Sequence, residues 1–252
     1  MPRGVAADFQ VRLAQTEADV QAAQRLRYDV FVRELGGGGP MVDHAAGLER
    51  DRFDPYFDHL LLTDRRSGKL AGVYRVMRSD MAARAGGFYS AAEYDLAPLV
   101  QSGRKLLELG RSCLDPAYRG GTAMHHLWAA LAGYVAEYEI EVLFGVASFH
   151  GTDTAALAEP LSLLHHRHLA PPELRVRARD YAPMDLIPEP ELDRRKAMLA
   201  VPSLIKAYLR LGGTVGEGAY IDRAFNTTDV CLILDTKQMS ARQMRFYNGS
   251  AA

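Results

Sequence analysis

Several charged residues stand where an apolar strand pattern would not carry them. Arg75 interrupts the run Lys69–Met77, and Glu108 and Arg111 sit inside Leu106–Leu114. Burying an unpaired charge is expensive, so each needs an opposite partner or a polar cavity. Glu108 and Arg111 are three apart and face opposite sides of a regular strand; only a bulge would bring them together. Upstream, the segment 48–55 gathers Glu49, Asp51 and Asp54 in a stretch too polar for core. A structural ion pair or an edge position explains any one of these residues. Several together point to a polar site. Downstream of Leu114 come Asp115-Pro116-Ala117-Tyr118 and Arg119-Gly120-Gly121-Thr122, then helix formers with Leu127, Leu131, Tyr134, Val135 and Tyr138 at helical spacing. A strand, a basic glycine turn and a helix N-terminus can hold an anion on free N–H groups at the positive end of the helix dipole. Two glycines let a phosphate approach the backbone. An ordinary strand-to-helix turn fits that piece equally well.

Two further groups invite chemistry. Cys113 could act as a nucleophile with His125 or His126 as base, but a cysteine inside an apolar strand reads first as core. His165-His166-Arg167-His168 lacks an accompanying Cys or acidic ligand set, and adjacent helical histidines diverge, so no metal is expected.

The elements that must position these residues follow from periodicity and turn signals. Phe9–Ala14 alternates as a strand, and Thr16-x-x-Asp19 resembles a capping box opening a helix through Leu35, with Arg27 one turn before Phe31. Gly36–Gly39 ends it. His59–Thr63 and Lys69–Met77 form a hairpin across Asp64-Arg65-Arg66-Ser67-Gly68. Glu141–Ala147 reads as a strand buried on both faces, and a helix follows around Ala155–His168. Prolines punctuate a long polar region before the amphipathic helix Val201–Leu211, and Ala219–Phe225 and Val230–Leu234 read as closing strands. The order β–α–β–β–(irregular)–β–α–β–α–ββ implies an α/β protein around a mixed sheet. We expect one domain over 1–252, with a core at about 8–170 and a C-terminal elaboration at about 171–237.

Bulk properties remove whole classes of function. A formal net charge of −1 excludes a generally basic nucleic-acid binder, so any basic partner surface is local. Candidates are Arg175, Arg177 and Arg179, then Arg194-Arg195-Lys196, then Lys206 and Arg210, with a solvated face as the default reading. The 2 cysteines lie far apart, which excludes a disulfide framework and suits a reducing cytoplasm. No apolar run reaches the ~18–20 residues of a membrane span, and the first ten residues show no secretory h-region.

The element order and the unit ending Leu114-Asp115-Pro116-Ala117-Tyr118-Arg119-Gly120-Gly121-Thr122-Ala123 resemble the GNAT acyltransferase superfamily, with Tyr118–Ala123 a degenerate form of its turn. Arg27-x-x-x-Phe31, Glu49-x-Asp51-x-x-Asp54, Arg75 and Glu108-x-x-Arg111 match the polar signature of acyl-homoserine-lactone synthases. That family carries a Trp six residues after its Phe, whereas position 37 here is Gly, and this chain continues beyond the usual length of those synthases. The fullest resemblance is to the bacterial L-ornithine Nα-acyltransferases. It rests on Arg27-Tyr28-Asp29-Val30-Phe31, Gly86-Gly87-Phe88-Tyr89-Ser90, Leu107–Cys113, Ala147-Ser148-Phe149-His150-Gly151-Thr152-Asp153 and Phe225-Asn226-Thr227-Thr228-Asp229-Val230.

The resemblance implies a GNAT-like, mostly antiparallel central sheet flanked by helices. It also implies transfer of a 3-hydroxyacyl chain from the phosphopantetheine of acyl carrier protein (or from CoA) to the α-amine of L-ornithine, with no bound cofactor. An α-amino group has a pKa of roughly 8, so a carboxylate must bind the ammonium and take its proton. Glu108 is the first choice; Arg111 and Asp51 complete the expected catalytic set. Asp51 and Asp54 would recognise ammonium groups, and Arg27, Arg75 and Arg111 a carboxylate. Phe31, Glu49, Ser148 and Phe149 are further expected substrate contacts. Ser112, Cys113, Leu114, Arg119, Gly120, Gly121, Thr122 and Ala123 are the expected thioester and phosphopantetheine contacts, with amides near Arg111–Cys113 polarising the carbonyl. An acidic carrier would dock on Arg175, Arg177, Arg179, Lys206 and Arg210. The expected location is cytoplasmic, with peripheral contact to anionic inner membrane open and no nucleic-acid partner. Alternatives are a homoserine-lactone-type synthase, an acyl-CoA-dependent acetyltransferase, and a non-catalytic carrier- or lipid-binding module.

Overall fold

The computed structural model describes residues 8–239. The chain opens with strand β1 (Phe9–Leu13), and the capping box is present: Asp19 N–H donates to Thr16 Oγ1 at 3.2 Å and Thr16 N–H to Asp19 Oδ2 at 3.2 Å. Helix α1 (Glu17–Arg27) follows, but it does not run on to Leu35 as expected. Residues Tyr28–Glu34 form a π-helix, with Leu35 N–H bonding to the Val30 carbonyl at 3.1 Å. The hairpin strands are β2 (Asp58–Asp64) and β3 (Leu70–Arg78), leading into a short helix α2 (Ser79–Ala85) that the apolar periodicity does not announce. Strand β4 (Leu106–Leu114), helix α3 (Ala123–Glu137) and strand β5 (Val142–His150) form the central unit. Helices α4 (Ala158–His168), α5 (Arg194–Ala200) and α6 (Ser203–Arg210) precede strands β6 (Thr214–Val215), β7 (Tyr220–Asp222) and β8 (Thr227–Asp235).

These strands form one sheet of order β1-β2-β3-β4-β5-β8-β6, with β7 also on β8. Every neighbouring pair is antiparallel except β4 and β5. That parallel pair is short. It runs only from Leu106↔Val142 to Glu108↔Phe144, although both strands continue for six more residues. At the point of parting stands Gly145, where a Cβ would lie 2.2 Å from the Leu109 carbonyl oxygen. Segment 171–237, expected as an elaboration, enters the sheet: β8 pairs with β5 along its full length, from Thr227↔His150 to Asp235↔Val142.

The two faces of the sheet bury different sets. Leu60, Leu62, Tyr74 and Val76 pack with Leu127 and Leu131 of α3 and with Ile205 and Tyr208 of α6. Met77, Phe144 and Ile233 pack with Phe88, Tyr94 and Leu99. Leu61, Val73 and Cys113 pack with Ala23 and Leu26 of α1. The alternation Val73/Tyr74 on β3 is the period of 2 that a two-faced sheet requires. Each fully buried Leu or Val contributes about 1.5–3 kcal/mol of transfer free energy.

Candidate active site

One residue decides the geometry of the site. The β3–β4 register shifts between Val73 and Arg75, so that Arg111 and Ser112 together oppose Tyr74. Arg111 takes φ +51 there, a left-handed conformation uncommon outside Gly, Asn and Asp. This is the bulge that the Glu108–Arg111 spacing demanded, and both side chains line the same cavity, of about 280 Å³. The Glu108 carboxylate is buried and accepts the Tyr89 N–H at 2.8 Å and the Ser90 N–H at 2.6 Å. Burial raises its pKa despite those two donors and Arg75. Arg111 donates from Nε to Glu49 Oε1 at 3.0 Å and from Nη2 to the Tyr89 hydroxyl at 3.0 Å.

Behind this cavity lies a buried ion-pair cluster. Arg27, at the last turn of α1, donates from Nε to Glu49 Oε2 at 2.5 Å and from Nη1 and Nη2 to Asp54 at 2.7 and 2.8 Å. Its Nη2 also meets the Glu49 carbonyl at 2.6 Å. Arg75 donates from Nη1 to Asp54 Oδ1 at 2.6 Å and from Nη2 to Asp51 Oδ2 at 2.7 Å. Gln24 adds a bond to Asp54 Oδ2 at 2.9 Å, and Asp51 Oδ1 accepts the Phe53 N–H at 2.8 Å. Burial alone would push the Asp54 carboxyl up, but Arg27 and Arg75 hold it well below its ordinary value. Of the five, only Arg75 reaches the cavity wall. Asp51, expected in the catalytic set, and Arg27, Glu49 and Asp54, expected as substrate contacts, bond to one another, to Arg75 and Arg111 and to nearby backbone. A buried charge whose partner turned to a ligand would be left uncompensated.

The remaining expected residues divide cleanly. Phe31, Ser112 and Ser148 line the cavity. Phe149 turns into the core, as do Cys113, Leu114 and Ala123. Burial pushes the Cys113 thiol up to about 12, so it offers no thiolate near neutral pH. In the turn, Gly120 takes φ +75, and a Cβ at Gly120 or Gly121 would meet nothing within 4 Å. Thr122 makes no side-chain cap on α3. Arg119 is already engaged: its guanidinium bonds to both Glu34 oxygens at 2.5 and 2.7 Å and to the Leu114 carbonyl. The expected docking cations have local partners too: Arg175 with the Ala170 carbonyl, Arg177 with Glu217, Arg179 with the Ala91 carbonyl, and Lys206 with the Leu199 carbonyl. Arg210 is exposed on α6.

The split between β4 and β5 connects the cavity to a second, smaller hollow. Both share Leu109, Gly110, Arg111, Ser112, Val146 and Ala147, and the second continues to Tyr74, Tyr208, Leu232 and Leu234. One end of this passage is therefore polar and the other apolar.

Sequence reasoning missed two acids on the cavity wall. Glu93 and Asp229 are both buried. Burial, then neighbouring Asp229, pushes Glu93 up to about 8. Burial pushes Asp229 up to about 6, moderated by the Ser148 and Thr227 hydroxyls. Asp229 carried the same signal as Glu108, a charge entering an apolar strand. Glu93 sits in irregular backbone beside the 3-10 turn Tyr89–Ala92 and had no periodicity to betray it. Position 37 is also explained. A Cβ there would lie 2.7 Å from the Phe225 ring, so Phe225, itself on the cavity wall, fills the room a Trp would need.

The acetyltransferase (GNAT) domain family matches residues 26–129. The L-ornithine Nα-acyltransferase of Rhodobacter capsulatus is 59% identical over 95% of this chain and 94% of its own, and that of Brucella abortus is 42% identical over 96% and 90%. The solved CoA-dependent acyl-homoserine lactone synthase BjaI superposes with a TM-score of 0.55 at 13% identity, over 96% of this chain and 88% of that one. That likeness speaks to fold alone, and it corrects the expectation that this chain runs well past such synthases. With relatives of this identity along nearly its whole length, the chain belongs to the L-ornithine Nα-acyltransferase family.

Proposed function

We propose that this protein transfers a 3-hydroxy fatty acyl chain from the phosphopantetheine thioester of acyl carrier protein to the α-amino group of L-ornithine. The observation that carries the reading is the parting of β4 and β5 just beyond Glu108, where a polar cavity meets an apolar passage. The thioester arm would lie in the split, its acyl chain toward Tyr208 and Leu232, and the amino acid in the cavity. Substrate carboxylate would meet Arg111 or the Arg75 Nε, which has no hydrogen-bond partner among the described residues. The α-amine would face Glu108. Its nitrogen attacks the thioester carbonyl, the C–N bond forms and the C–S bond breaks. The proton leaves through Glu108, directly or by water, and ends on the departing thiol. Amides of Arg111 and Ser112, displaced from the regular β3 ladder by the bulge, are the candidate donors to the developing oxyanion. Gly120, Gly121 and the start of α3 would take the phosphate.

Incubation with 3-hydroxyacyl carrier protein and an equimolar amino-acid mixture, read by mass spectrometry, tests the reading. N-acyl-ornithine should form, and Glu108→Gln should lower kcat by about 10²–10⁴. Acylation of another amine would remove ornithine as substrate, and turnover only with acyl-CoA would remove the carrier protein. An unaffected Glu108→Gln protein would favour a binding module over an enzyme. No helix among the described residues is long and apolar enough to cross a membrane. Leu199, 72% exposed and bonded through its carbonyl to Lys206, supports peripheral contact with anionic lipid near α6. Vesicle co-sedimentation that is unchanged in Leu199→Asp would remove that contact.

A further inference from the structure

We infer that Glu93 and Asp229 form a subsite for the side-chain ammonium of a diamino acid, holding that amine protonated while the α-amine is acylated; the inference rests on the acyl-transfer reading above. Glu93 is 7% and Asp229 5% exposed, and both line the cavity that holds Glu108 and Arg111. Glu93 Oε2 and Asp229 Oδ1 have no hydrogen-bond partner among the described residues, whereas buried polar atoms are nearly always paired. The two acids are held together by rigid backbone. Tyr94, the neighbour of Glu93, donates its hydroxyl to the Asp229 carbonyl at 2.9 Å, and Asp229 pairs across the sheet with Ser148 of β5.

Neither guanidinium on the cavity wall forms an ion pair with these two acids, although Arg111 lies near enough to favour their charged forms. Arg75 is committed to Asp51 and Asp54, and Arg111 to Glu49 and Tyr89. Asp222, also on the wall, caps its own turn through the Ala224 and Phe225 amides. Two buried carboxyls, each with an oxygen lacking a partner among the described residues, are complementary to an ammonium group arriving with the ligand. A diamino acid fits the whole cavity: carboxylate at the guanidinium side, α-amine at Glu108, and second ammonium at Glu93 and Asp229. Held there as a cation, the second amine has no lone pair with which to attack the thioester. That gives selectivity between the two amines of one substrate. The charged and titratable groups facing the pair are Arg111, Asp222, Glu108, Tyr89, Tyr94, Tyr220 and Cys231. Burial raises Glu93 to about 8, and an ammonium bound beside it would favour its charged form.

The test compares ornithine with 2-aminopentanoate, its analogue lacking the side-chain amine, using the full-length enzyme and acyl carrier thioester. Wild type should favour ornithine in kcat/KM by at least about 100-fold. Glu93→Gln and Asp229→Asn should raise the KM for ornithine by at least about tenfold with little change in kcat, and leave 2-aminopentanoate unaffected or improved. Equal losses on both substrates, or a wild type that accepts both equally, overturn the subsite. Were either variant to fail to fold, as read by its melting curve, the wild-type substrate ratio decides alone. Acylation of a different diamino acid with the same dependence on Glu93 would keep the subsite and sink only ornithine. Preference for a monoamine would sink both.

Discussion

Two acid-rich regions sit back to back, one on each side of Arg75 and Arg111, and they are built on opposite principles. In the cluster, Glu49, Asp51 and Asp54 face Arg27, Arg75 and Arg111 with charge-assisted bonds between 2.5 and 3.0 Å. In the cavity, Glu108 is held by two backbone amides, while Glu93 and Asp229 each present an oxygen with no partner among the described residues. The residue types are the same, and the number of satisfied valences differs. Saturated acids hold α1, the loop around Glu49–Asp54 and the sheet in register. On the subsite reading, the unsaturated acids are those that a ligand would complete. Asp51 and Asp54, expected as ammonium contacts, find their charged partners within the protein, whereas Glu93 and Asp229 each keep an oxygen without one among the described residues.

The sharpest way to break the contrast is to remove one member of the saturated set. Asp54→Asn leaves Arg27 and Arg75 short of a charge, and should cost about 3–5 kcal/mol in urea unfolding. Next comes pH, where the two regions pull in opposite directions. Asp51 and Asp54 are lowered in the fold, so their contribution is present above about pH 4 and lost as pH falls below it. Glu93 and Asp229 are raised to about 8 and about 6, so the folded state keeps protons that the unfolded chain has released. Their effect is a decline in stability as pH climbs from about 4 through those values. Glu93→Gln should flatten the basic arm of the melting-temperature profile and stabilise the ligand-free protein by about 1–3 kcal/mol above pH 8. A steeper arm in the variant would contradict the unpaired carboxyl. Cys113→Ala, on the α1 side of β4, should cost about 1 kcal/mol and leave kcat unchanged; loss of turnover in a folded protein would revive the thiol. Smallest is Glu34→Gln, which removes a half-exposed partner of Arg119 and should change stability by less than about 1 kcal/mol.

The order of strands and helices was legible because apolar periodicity is a local property. The β4–turn–α3 unit, the β2–β3 hairpin and the capping box at Thr16 all follow from residues a few positions apart. What stayed hidden was long-range. Arg27 reaches Glu49 across 22 positions and Arg111 reaches it across 62, so the polar set was found but its internal pairing was not. The π-helix at Tyr28–Glu34 has the composition of an α-helix, so nothing in its residue types announces the extra bond span. The bulge was stated as a condition on Glu108 and Arg111, yet Arg111 is not a residue type that advertises a left-handed conformation.

That bulge makes the chain sensitive to its own length. Beyond Gly110, β4 spends two residues where β3 spends one, and everything after it is in phase only because of the surplus. Deleting any single residue between Gly110 and Cys113 would let the strand close up into plain alternation, at little cost to its hydrogen bonds. It would also leave no arrangement in which a cavity-facing guanidinium follows Glu108 while position 113 still points into the core under α1. A scan of single-residue deletions should therefore find residues 110–113 intolerant as a block, including Ser112, where side-chain substitutions alone would suggest latitude. In this stretch the count of residues, as much as their kind, is under constraint.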